Sequence, residues 1–173
     1  TLEGPGGAYA VLLDDTVASG PGRTTGNELE LTDAATQESV ATFPGVRMVV
    51  SGDTAYLQSK DALSALSRSR YVALSRERAQ AVARREELER ERNQAPDADA
   101  DARAAEIAAL AARVAELDAA LEACYLWRRP CEEPYALILA GEHLFLGGDG
   151  KVKACRASDG TEVWSGDVAG RAY

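Results

Sequence analysis

The sequence predicts a mainly β chain with an α-helical insertion: short antiparallel strands at both ends and a long antiparallel helical hairpin between them. Three observations lead there. In residues 1–67 and 131–173, short apolar or alternating runs are broken by Gly, Pro and Asp-Gly pairs. Residues 69–93 and 98–127 contain no Gly, and Pro96 stands between them. The run over residues 137–164 has a diverged copy that begins near residue 52, on the other side of the helical stretch. The predicted segments are therefore 1–67 (β), 68–130 (helical) and 131–173 (β).

Residues 8–13 are a continuous apolar run ending at Asp14-Asp15, as in a strand buried on both faces. The Gly- and Pro-dense stretch 19–26 reads as loop. Residues 28–31 alternate polar and apolar, 33–37 supply a turn, and 39–43 form a further strand ended by Pro44-Gly45. Residues 47–50 and 55–58 pair as a hairpin about Ser51-Gly52-Asp53. Beyond the helices, strands are expected at 136–140, 144–146, 151–155 and 162–164, with turns at Gly141-Glu142, 147–150 and 158–160. The Asp-Gly pairs suit tight hairpins, because Gly accepts positive φ.

In the second helix Ile107, Leu110, Val114, Leu117, Leu121 and Cys124 recur at steps of three and four, a heptad seam among alanines. The first helix repeats Leu74, Ala81 and Leu88 every seven residues, with Arg78, Arg85 and Arg92 at the intervening positions. Long Arg stems can cover a seam while their heads reach water. Asp97 or Asp99 can cap the second helix. Residues 68–92 hold eight Arg and five Glu, whereas 97–122 hold seven acids and two Arg, so antiparallel pairing sets opposite charges side by side. Helices of this length would project roughly 35–45 Å. Two readings of the seam stay open: it only closes the hairpin, or it also joins two hairpins into a four-helix bundle.

A formal net charge of −9 argues against generic nucleic-acid binding. The Arg-rich helix could touch nucleic acid or acidic lipid, but its arginines are interleaved with Glu and face an acidic helix, which favours internal pairing. No run of 18 apolar residues is present, so no membrane span is expected. The chain starts at Thr1, which reads as loss of a targeting segment or excision from a longer protein. His143 is the single histidine, too few for a histidine-rich metal site. Asp14-Asp15, Asp149 and Asp159 fall in predicted turns, where Asp is common for backbone reasons. No nucleophile with a base and no phosphate loop is visible, so no catalytic, cofactor or metal site is expected in this segment. Pro130 could turn the chain between Cys124 and Cys131, leaving either a disulfide or two partly buried thiols at a junction.

In the internal repeat, Gly52 falls on Gly141, Tyr56 on Phe145, Leu57 on Leu146, Leu63 on Val152 and Ala65 on Ala154. A partial third copy covers 29–43, and residues 170–173 echo 6–9. The segment Ala154-Cys-Arg-Ala-Ser-Asp-Gly160-Thr-Glu-Val-Trp164 resembles the motif Ala-x-Asp-x-x-Thr-Gly-x-x-x-Trp of the quinoprotein-like (PQQ-repeat) β-propeller family. Arg156 stands for the usual Asp and Asp159 for the usual Thr; the copy at 33–37 has Gln37 for Gly and no Trp. The resemblance implies β-propeller blades, four-stranded antiparallel sheets with Ala154, Gly160, Trp164, Gly52 and Gly141 as structural motif positions, Gly160 closing a turn and Trp164 packing between neighbours. It implies that the helical hairpin enters where the second copy stops, at Leu66. It also implies an exported or periplasmic location. The expected role is a non-catalytic scaffold whose hairpin contacts a protein partner or a second copy. The alternative is a fragment of a propeller-type oxidoreductase with its cofactor site outside this chain.

Overall fold

The computed structural model describes residues 9–13, 15–20, 26–94 and 100–173. Their strands are β1 (Tyr9–Leu13), β2 (Thr16–Gly20), β3 (Glu28–Asp33), β4 (Ser39–Pro44), β5 (Arg47–Ser51), β6 (Thr54–Gln58) and β7 (Ala62–Ser67). Two helices follow, α1 (Arg68–Gln94) and α2 (Ala100–Glu122). The chain then returns to β8 (Tyr125–Pro130), β9 (Ala136–Ala140), β10 (His143–Gly147), β11 (Asp149–Arg156) and β12 (Glu162–Arg171). Two compact units result: one takes in the strands, residues 1–68 and 125–173, and the other residues 69–124.

The strands form three antiparallel sheets, ordered β1-β2-β3-β4, β5-β6-β7-β8 and β9-β10-β11-β12. The predicted fold class is corrected by this arrangement. The described chain is mainly β, three separate antiparallel sheets with two helices, and not a set of propeller blades carrying a long hairpin. A propeller closes with typically about four to eight sheets, and three are present among the described residues. Alternation and Asp-Gly turns dictate which strands pair locally. They carry no information about closure of successive sheets.

The three sheets share one register. Cross-strand rows run Val11, Ala18, Leu31, Ala41 in the first and Val49, Tyr56, Ala65, Trp127 in the second. The third has Ile138, Phe145, Ala154, Trp164. A β-bulge follows the third member of each row, at Leu31/Thr32, Ala65/Leu66 and Ala154/Cys155. Beyond the bulge the first and third sheets turn through five residues, 34–38 and 157–161. The second sheet runs through α1 and α2 at that place instead. The amides of Ala34, Arg68 and Ala157 make the same first bond, to the carbonyls of Asp15, Asp53 and Glu142. The helices therefore stand where a turn stands in the other two sheets.

Several element boundaries differ from expectation. Ser19 and Gly20, read as loop, end β2; Ala18 and Ser19 are buried there, and a Cβ on Gly20 would collide with Leu29. The second helix ends at Glu122, and residues 125–130 form a strand. β12 extends to Arg171, well past the expected end at Trp164. Ala8, Asp14, residues 21–25, Pro96, Asp97 and Asp99 lie outside the described residues.

Candidate functional site

The second and third sheets meet in a core of Tyr56, Leu63 and Ala65 against Leu137, Leu144, Leu146, Cys155 and Ala157, with Cys131 between. Trp127 closes this core. Its ring lies 6.2 Å from that of Tyr56, and its Nε1 donates to the Ala157 carbonyl at 3.1 Å. The indole sits on Gly160: a Cβ there would come within 2.6 Å of the ring. Gly160 has φ 70°, so it serves both the turn and the close approach. Arg129 Nε donates to the Asp159 carbonyl at 3.1 Å alongside.

Polar groups stitch the linker between β8 and β9 into the same junction. Gln58, fully buried, donates Nε2 to the carbonyls of Glu133 and, at 3.0 Å, Ala136. Arg47 donates to the Pro134 carbonyl and, at 3.4 Å, to Gln58 Oε1. The Glu133 carboxylate is buried; it accepts the Glu132 amide at 3.2 Å and pairs with Lys153 Nζ at 2.8 Å. A Cβ on Gly148 would stand 2.9 Å from Glu133 Cγ, so the third sheet approaches closely here. The hydrogen bond to Glu133 holds the Lys153 ammonium above its usual range. Cys131 Sγ lies 3.7 Å from Glu133 Oε2, and burial pushes its thiol up to about 11. A thiol so disposed stays protonated and is a poor nucleophile. The cluster is a clamp whose groups are turned on one another.

The sequence placed Gly52, Gly141, Ala154, Gly160 and Trp164 in structural roles. Gly52 and Gly141 take φ 56° and 59° in the β5–β6 and β9–β10 turns. Ala154 is buried opposite Trp164. Trp164 itself is 53% exposed, its ring folded over Gly166 of its own strand. The tryptophan that packs on a neighbouring sheet is Trp127, which lies in the 68–130 stretch that the sequence predicts to be helical. Aligning Trp127 with Trp164 in the repeat, and noting Tyr, Trp and a closing Pro in residues 125–130, would have found it.

The Cys124–Cys131 disulfide is not formed: Cys124, Cys131 and Cys155 are free, buried thiols. β8 runs extended between the first two, so Tyr125 and Pro130 stand roughly 17 Å apart. Their neighbours then cannot come within the ~7 Å that a disulfide requires. Cys124 instead lies against the Ala120 carbonyl at 3.4 Å. Asp159 is a turn residue: its Oδ1 accepts the Thr161 amide at 2.9 Å and its Oδ2 pairs with Arg156 at 3.0 Å. The bond from Thr161 holds its carboxyl below the usual range. His143 is exposed at the start of β10. Among the described residues, no three His, Cys, Asp or Glu side chains are grouped to hold a metal ion.

In the helical unit, Ala81, Leu88, Val114 and Leu117 are buried; Leu74, Ile107, Leu110 and Leu121 are half-buried. Cross-helix ion pairs join Arg78 to Asp118 at 2.5 Å and Arg113 to Glu77 at 2.5 Å. Further along, Arg84 meets Glu106 at 3.2 Å and Arg103 meets Glu91 at 3.8 Å, so α1 and α2 run in opposite directions. Arg85 pairs along its own helix with Glu89. No helix among the described residues is long and apolar enough to cross a membrane. Compared with known proteins, the chain matches no family model and no curated protein.

Proposed function

We propose that this chain is a non-catalytic scaffold element whose helical unit makes contact with a protein partner or with a second copy. One observation carries the reading: α1 and α2 replace a five-residue turn between adjacent strands that pair as those of the other sheets do. The sheet has no need of so long an excursion, and a unit that does not serve the sheet is free to serve a partner. Burial of Ala81, Leu88, Val114 and Leu117 within the unit supports contact through its outer surface, rich in Ala, Arg and Glu, with the seam kept closed. The mutual pairing of Arg and acid side chains supports a protein surface over a phosphate backbone as the partner.

The test is light scattering on the full chain and on a chain with residues 68–124 replaced by Ala-Ser-Asp-Gly-Thr, the sequence of the 157–161 turn. Loss of self-association or of partner capture with the helices supports the reading. Unchanged mass and unchanged partners after the replacement would sink it.

A further inference from the structure

We draw no further inference here: the strongest candidate, the apolar row Ile138, Phe145, Ala154 and Trp164 on the outer face of the third sheet, is only partly exposed, and nothing in the structure shows what covers it.

Discussion

Cys131 keeps its proton about two pH units longer in the folded chain than in the unfolded one, because burial strips water from the thiolate. A folded value raised from 9.0 to about 11 adds stability that is fully present below pH 9 and lost as pH rises through 11. The linked contribution is on the order of 3 kcal/mol. Cys155 and Tyr56, raised by the same desolvation, and Lys153, raised by Glu133, act in the same direction. Denaturant unfolding at pH 8 and pH 10.5 should show a marked alkaline loss, and Cys131→Ala should flatten it. A chain equally stable at both pH values would contradict the burial of these groups. Lys153→Met should cost about 3 kcal/mol by leaving the Glu133 carboxylate buried without its cation. Adding Glu133→Gln should restore most of that loss, and a double-mutant cycle measures the coupling. None of this pairing was legible in the sequence. Glu133 and Lys153 lie on different elements, and only the close approach at Gly148 brings them together.

Elements with a strong local signal were legible, and those fixed by a partner were not. β5, β6, β9 and β10 follow from short apolar runs that flank the turns at Gly52 and Gly141. β8 carries no such local signal, because its register is set by β7, which precedes it by the whole length of the helical unit. Its residues carry strand formers, but an Ala-rich helical run leads directly into them. In the helical unit, the seam positions divide by burial into two classes. Leu117 is 1% exposed, so Leu117→Arg should cost about 4 kcal/mol by burying an unpaired charge. Leu110 is half-buried, and its replacement by Arg should cost markedly less, since the long stem can reach water. Circular dichroism should show the helical signal melting early in the first variant and near the wild-type temperature in the second. Equal melting of the two would argue against the seam.

At the scale of the whole molecule, the sheets and the helices are separate compact units joined through adjacent strands. The overall architecture was the least legible feature, because a repeat in sequence shows that sheets recur and not how many assemble. Replacing residues 68–124 with the 157–161 turn should leave the packing of Trp127 on Gly160 intact. A loop roughly ten times shorter changes closure entropy by only about 2 kcal/mol, at ~0.6 kcal/mol per doubling. Tryptophan emission of that variant should stay blue-shifted and melt cooperatively; a fully red-shifted spectrum would mean the sheets depend on the helices. The place where the helices enter has a wider consequence. β7 and β8 end side by side, and the bond from the first residue after the strand to the preceding hairpin recurs in all three sheets. A segment of any size fits there if its two ends approach to about 5 Å, the spacing of paired strands. The second sheet thus behaves as a socket, and the turns at 34–38 and 157–161 are two vacant sockets of the same gauge. A lineage or an engineer could exchange the plugged-in segment without altering the register of any strand.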